Sequence, residues 1–516
     1  MTFDTSLYET VIGLEIHVEL STKTKLFCSC PTGFGQTANS CICPVCTGMP
    51  GALPVLNHPV VEYAVATGLA LNCEISRYSA FDRKNYFYPD NPQNYQISQL
   101  YLPIARNGHL TLTEAVPAKT IRIHEIHMED DAGKLVHAAD GTTLVDYNRS
   151  GVPLLEIVTE PDFRSADEVI AFLEQLRLTL LYLGVSDCRL QEGSLRVDVN
   201  LSVRKPDAPY GTRTETKNLN SFRAITHAIT HERERQIALI EAGQNISQET
   251  RRFDDTTNSS RSMRSKEDSN DYRYFPEPDL PPLALTDSFI NHIRNQLPEL
   301  RDAKRERYQA EYGLSAYDVS LITSYKKLAD LFEQTVQCGA NPKKTANRLM
   351  VDTLALCREY TVLPEELMLS PKSLAALLSL TDSGRITGAV SKEIFHEFFR
   401  RSCDHSIRKL SGNQTASLSQ LPDQPYDFDP EQYAIDNHLL NNSDASFLSE
   451  VADAVILNNP QSVSDYNSGK TKALAFLVGQ AMKLSKGTLD PTQLRLYFEN
   501  RLPSAQSLQM LETPGE

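Results

Sequence analysis

The chain reads as an α+β protein: an antiparallel-sheet cradle domain, then an all-α helical domain, then a small helical tail domain. Three observations carry that reading. Short alternating apolar runs, separated by Gly, Pro, Asn and Asp turns, fill the chain up to about Leu285. The proline cluster YFPEPDLPPLAL, Tyr274 to Leu285, closes that region, because repeated proline continues neither a helix nor a central strand. Beyond it, apolar positions recur at helical spacing. The expected domains are residues 1–292, 293–402 and 403–516, with a polar insertion at about 403–436.

Taken in order, VIGLEIHVEL (Val11 to Leu20) is a half-buried strand, with Ile12, Leu14, Ile16, Val18 and Leu20 on one face and Gly13, Glu15, His17 and Glu19 on the other. VEYAVATGLALN and SADEVIAFLEQLRLTLLYLG are the clearest helices of the first domain. IRIHEIHMEDDAGK alternates and then ends in the acids Glu129, Asp130 and Asp131. EGSLRVDVNLSVR puts Leu195, Val197, Val199, Leu201 and Val203 on one face, and Arg196, Asp198 and Asn200 on the other. The helical domain follows in DSFINHIRNQLPELRDAKRERYQAEY, SAYDVSLITSYKKLADLFEQTVQ and NPKKTANRLMVDTLALCREY. The tail helices are ASFLSEVADAVILNN and KTKALAFLVGQAMKLSKG.

Composition narrows the function. At 516 residues the chain exceeds one core, and its net charge of −15 argues against general attraction to polyanions, so any such partner is met by a local patch. MTFDTSLYETVIGLE has no leader pattern and no run is long and apolar enough for a bilayer, so a cytoplasmic protein with no membrane partner is expected.

Two polar strand faces and an acidic turn carry the chemistry. Either face alone reads as a solvated surface, and HMEDD alone reads equally as a solvated turn. Pooled, Glu15, His17, Glu129 and Asp130 form a hard, oxygen-rich set with one imidazole, which suits Mg²⁺ or Mn²⁺ better than zinc. Lys84 in FDRKNYFYPDNPQNYQISQ and Lys217 in TKNLNSF supply cations of the kind phosphoryl transfer needs. Cys28, Cys30, Cys43 and Cys46 have the spacing of a tetrahedral thiolate site, which makes structural Zn²⁺ the expected ion; Cys41 is surplus.

Several motifs are decoys. SGKT (Ser468 to Thr471) lacks the first glycine of a phosphate loop, so Gly469 reads as a turn residue. HEIH (His124 to His127) has strand parity that sends its histidines to opposite faces, and it reads as structural. No nucleophile elbow is present, so any amide nitrogen must be released by another chain.

ETVIGLEIHVEL, LFCSC with CPVCTGMPGALPVLN, FDRKNYFYPDNPQNYQISQ, HMEDDAGK, DYNRSGVPLLEIVTEPD, EGSLRVDVNLSVR, TKNLNSF and DYRYFPEPDLPPL together resemble the B subunit of aspartyl/glutamyl-tRNA amidotransferase, in order and over nearly the whole chain. The resemblance implies a ligase that uses ATP and Mg²⁺ to phosphorylate the side-chain carboxylate of Glu-tRNA(Gln) or Asp-tRNA(Asn), so that ammonia displaces phosphate. It implies a heterotrimer in which an amidase-like A subunit channels the ammonia and a small C subunit completes the assembly, with the tail of this chain binding tRNA. Carried across, Glu15, His17, Glu129 and Asp130 fall where the family binds Mg²⁺, with the choice between the two acids open. The four cysteines match a zinc knuckle that some members retain. Lys84, Asp198, Arg196, Asn200 and Lys217 are expected, on their chemistry, to line the phosphate and acyl-tRNA site.

Overall fold

The computed structural model describes residues 5–112, 118–138, 140–265, 271–410, 424–441, 445–485 and 487–502. It divides into two compact units, one ending at Lys304 and one beginning at Arg305, inside the helix Arg301–Tyr312.

The first unit is built from strands β1 (Glu9–Glu19), β2 (Glu74–Ile75), β3 (Tyr78–Ser79), β4 (Asp82–Asn85), β5 (Tyr95–Ser98), β6 (Ala105–Leu112), β7 (Lys119–Asp130), β8 (Lys134–His137), β9 (Thr143–Asp146), β10 (Pro153–Thr159), β11 (Leu195–Arg204), β12 (Thr214–Leu219), β13 (Glu249–Asp254) and β14 (Ser259–Ser265). Helices α1 (His58–Ala70), α2 (Ala166–Leu183) and α3 (Phe222–Glu241) accompany them. Nine strands form one sheet in the order β14-β13-β12-β11-β1-β10-β7-β6-β2, with β1 in the middle. Its pairings are antiparallel except β12 with β13, so the sheet is mixed at one point.

Alternation decides which face is covered. Ile12, Leu14, Ile16 and Val18 of β1 are buried in the core with Leu155 and Ile157 of β10 and Val197 and Val199 of β11. Helix α2 adds Val169, Phe172, Leu173 and Leu176 to that core, and α3 adds Ile225 and Ile229. Local sequence sets both helix starts: Ser165 accepts from the amide of Glu168, and Ser221 from that of Ala224. Gly184, in the left-handed conformation, ends α2. The smaller β4–β5 hairpin is joined by Phe275–Pro276 in a three-stranded sheet.

The second unit is helical. Phe332 of Lys326–Gln337 packs on Tyr308 with ring centroids 5.0 Å apart, and Val390, Ile394 and Phe398 of Gly388–Leu410 are buried. NPKKTANRLMVDTLALCREY, read as helical from its periodicity, widens to a π-helical turn at Arg348–Thr353. Buried Arg348 there donates to Asp352 at 2.9 Å and to Ser391 at 2.8 Å, which satisfies its charge. The expected polar insertion is helical at its two ends, up to Leu410 and over Pro430–Asp436, while 411–423 lie outside the described residues. The tail has its own cluster of Leu474, Leu477, Ala481, Leu494 and Phe498. Gly469, at φ +95°, turns the chain between Pro460–Asn467 and Lys472–Leu484, a helix–turn–helix setting rather than a phosphate loop.

Candidate active site on the polar face of the central sheet

Strand register arranges the polar side chains in rows. Across the centre, Arg196, His17, Glu156 and His127 are successive partners on β11, β1, β10 and β7. One step away, Asp198, Glu15, Val158 and Glu125 form the next row, and on the other side Glu19, Leu154 and Glu129 form the third. Because side chains two apart on a strand share a face, these rows look in one direction while the apolar set looks into the core.

The central group is tight. His17 Nε2 lies 3.3 Å from Glu156 and 3.4 Å from Glu129, and His127 Nε2 lies 3.0 Å from Glu156. Burial works against a charged His127, yet the carboxylates of Glu156, Glu129 and Glu125 together outweigh burial and lift the imidazole to about 9. The same balance raises His17. Burial also opposes ionisation of Glu156, but the two imidazoles hold it well below the usual carboxylate range. One ligand atom from each of His17, Glu129 and Glu156 lies within 4.8 Å of the others, so the three fit a single divalent cation with open positions. Buried Nδ1 of His127 has no hydrogen-bond partner among the described residues.

A second group lies one row along. Glu15, Asp198 and Glu215 also bring ligand atoms within 4.8 Å of one another. Lys217 bridges Asp198 and Glu215, and Asn200 donates to Glu15 at 2.9 Å. Burial, then the charge of Glu156, raises the Glu15 pKa. Beside this group opens a cavity of about 200 Å³, with Glu15, Asn200, Thr159, Tyr210 and Arg213 in its walls. Gly211 shapes its rim: a Cβ there would stand 2.3 Å from the Val203 carbonyl oxygen, so only glycine permits this close approach.

Asp130 takes a different place from the one expected. Strand β7 continues through it, so its side chain leaves Glu129's face, and its Oδ1 accepts the Ile97 amide at 2.9 Å. Burial pushes its carboxyl up to about 8, against the Ile97 hydrogen bond. Lys84 on β4 makes no ion pair among the described residues. Its ammonium lies 5.3 Å from the Tyr272 ring, and Glu129 is the largest influence keeping it charged against burial. Arg196 donates to Asp131 at 2.7 Å, with Arg149 3.4 Å from the same carboxylate. Glu19 beside them is pushed up to about 8, first by burial and then by Asp131.

The cysteines form a separate centre. Ligand atoms of Cys28, Cys30, Cys43 and Cys46 lie within 4.8 Å of one another, and Cys46 Sγ is 3.9 Å from Cys43 Sγ. Tetrahedral bonds of about 2.3 Å place neighbouring sulfurs about 3.8 Å apart, so the cradle fits zinc. Cys41 is buried but stands outside this set.

Comparisons with known proteins match both parts of the chain. Residues 10–291 match the GatB/GatE catalytic domain, and residues 330–502 match the GatB domain. The B subunit of the aspartyl/glutamyl-tRNA(Asn/Gln) amidotransferase of Agathobacter rectalis is 55% identical over 486 residues, covering 94% of this chain and 97% of the relative. The chain belongs to that family. The B subunit of Lachnoclostridium phytofermentans is 51% identical, over 97% of this chain and all of the relative, and that of Caldicellulosiruptor bescii 49%, over 94% and 97%.

For this member of the amidotransferase B-subunit family, the structure redistributes the expected metal set. His17 and Glu129 come together, Glu15 joins Asp198 and Lys217, and Asp130 turns away. Glu156, Glu215 and His127 lie outside the set that the sequence singles out. The HEIH reading is half changed: His124 is exposed beside Glu160, whereas His127 belongs to the central group. Alternation in PLLEIVT and TETKNL is the available signal for the two acids, since each places a carboxylate on the polar face of a strand. No described helix is long and apolar enough to cross a membrane.

Proposed function

We propose that this chain carries out the ATP-dependent activation step of transamidation, converting Glu-tRNA(Gln), Asp-tRNA(Asn) or both to the amide form. The observation that carries the proposal is the His17, Glu129 and Glu156 group, set on a sheet face between Lys84 and the Glu15, Asp198 and Glu215 group. His17, Glu129 and Glu156 would hold one Mg²⁺, with Glu15, Asp198 and Glu215 as a second set. When bound, Mg²⁺ neutralises triphosphate charge and polarises the transferred phosphoryl group.

The protein's own part is positioning. The cavity beside Glu15 seats the nucleoside, with its phosphates directed along strand β1 toward His17 in the next row. Asn200 orients Glu15, and Lys217 bridges Asp198 and Glu215 and holds them side by side. Lys84 and Arg196 offer positive charge to the phosphoryl and acyl oxygens. The substrate carboxylate attacks the γ-phosphorus, an O–P bond forms, the bond to the β–γ bridging oxygen breaks, and ADP leaves. Ammonia then attacks the acyl carbon; the C–O bond breaks, and the proton lost by nitrogen leaves with phosphate as HPO₄²⁻. Nitrogen comes from glutamine hydrolysed by an amidase-like A subunit, and a small C subunit completes a heterotrimer. The tail holds the tRNA, and the four cysteines hold a structural zinc ion.

The test uses the assembled complex with charged tRNA and γ-labelled ATP. Glu156→Gln is expected to lower acyl-phosphate formation at least a hundredfold while tRNA affinity stays within about threefold. Unchanged phosphorylation in that variant would overturn the metal-site reading, and tRNA binding without nucleotide turnover in the wild-type complex would favour a scaffold that only binds tRNA.

A further inference from the structure

The cysteine centre has a cation built beside it. Lys25 is wholly buried, at 0% exposure. Its Nζ donates to one neutral group, the Tyr147 carbonyl at 3.3 Å, and no carboxylate among the described residues pairs with it. An ammonium taken out of water is costly to keep without an anion. The backbone shows which anion is at hand. The Lys25 amide donates to the Cys30 carbonyl at 3.0 Å, within the short ribbon closed by the Thr24 and Pro31 bridge, so Lys25 shares a turn with Cys28 and Cys30.

Gly151 brings the fourth cysteine to the same place. At φ +84°, a Cβ on Gly151 would lie 3.5 Å from Cys46 Cβ and 3.5 Å from Lys25 Cδ, so the lysine stem and Cys46 flank one point. Ser150 Oγ donates to the Cys46 carbonyl at 3.0 Å and Leu26 donates to the Gly151 carbonyl at 2.9 Å, which locks both sides onto this loop. Four thiolates around a divalent ion leave two net negative charges in a buried site, and one ammonium halves that excess.

We propose that Lys25 is the resident counter-cation of this tetrathiolate site, and that it sets how firmly a soft divalent ion of the zinc type is retained. The proposal rests on reading the four cysteines as a metal centre. It assigns Lys25 a positioning and charge-balancing role with no part in phosphoryl transfer.

The experiment uses the full chain as wild type, Lys25→Met and Lys25→Arg, with zinc content measured before and after graded competition by a chelator. Wild type is expected to hold one zinc ion per chain. Lys25→Met should release it at a chelator concentration at least tenfold lower, and Lys25→Arg should stay within threefold of wild type. The melting temperature supplies the second readout. Lys25→Met should lower it in zinc-loaded protein, yet leave it unchanged or raise it in metal-stripped protein, where the unbalanced ammonium itself is the burden. Equal zinc retention in Lys25→Met and wild type would overturn the role of Lys25 while leaving the metal centre standing. Equal destabilisation with and without zinc would reduce Lys25 to a packing group. A wild-type chain that takes up no zinc would overturn both readings.

Discussion

Asp130→Asn separates a metal ligand from a fold element. In the structure its Oδ1 accepts the Ile97 amide and its side chain leaves the Glu129 face, so an asparagine oxygen can take over the same hydrogen bond. The folded carboxyl is raised to about 8 from an ordinary value of 3.8, with burial as the first cause. A raised carboxyl favours the fold while it is protonated: the contribution is complete below about pH 4 and is lost as pH rises through about 8. Between those limits wild type loses up to about 1.4 kcal/mol per pH unit relative to the asparagine variant. Near pH 7 that bounds the advantage of Asp130→Asn at about 4 kcal/mol, less whatever the new amide N–H₂ leaves unsatisfied. Thermal scans of both proteins at matched rates from pH 5 to pH 8 should show Asp130→Asn melting a few degrees higher at pH 7 and the gap widening with pH. A variant that melts lower than wild type at pH 7, or a gap flat in pH, would refute the reasoning.

Two further outcomes follow from the same geometry. Lys217→Met leaves Asp198 and Glu215 facing each other without their shared cation, so acyl-phosphate formation in the complex should fall at least tenfold while tRNA affinity holds; activity within twofold of wild type would argue against that group. Ser165→Ala removes the acceptor for the Glu168 amide at the start of α2 and should cost about 1 kcal/mol in urea unfolding. A loss below a few tenths would show that the cap is dispensable.

Much of this architecture is visible in residue order. The polar face of β1 is legible because strict alternation separates Glu15, His17 and Glu19 from a continuous apolar row. The cysteine centre is legible because its ligands lie close in sequence and their spacing suits four thiolates. Asp130 is misplaced when HMEDD is pooled as a local cluster, because consecutive residues of a continuing strand face opposite ways. Glu156 stays hidden for another reason. Alternation in PLLEIVT marks it only as a carboxylate on a polar strand face, and the antiparallel register of β10 against both β1 and β7 puts it between His17 and His127. Glu215 reaches Glu15 and Asp198 in the same non-local way, through the pairing of β12 with β11. Lys25 gives no sequence signal, since its burial depends on a loop that arrives more than a hundred residues later.

The most direct measurement is Mn²⁺ binding to the full chain, followed by electron paramagnetic resonance in wild type, Glu129→Gln, Glu156→Gln and Asp130→Asn. The His17, Glu129 and Glu156 centre predicts at least tenfold weaker binding in the first two variants and binding within twofold of wild type in Asp130→Asn. Loss of Mn²⁺ in Asp130→Asn, with Glu156→Gln unaffected, would contradict it.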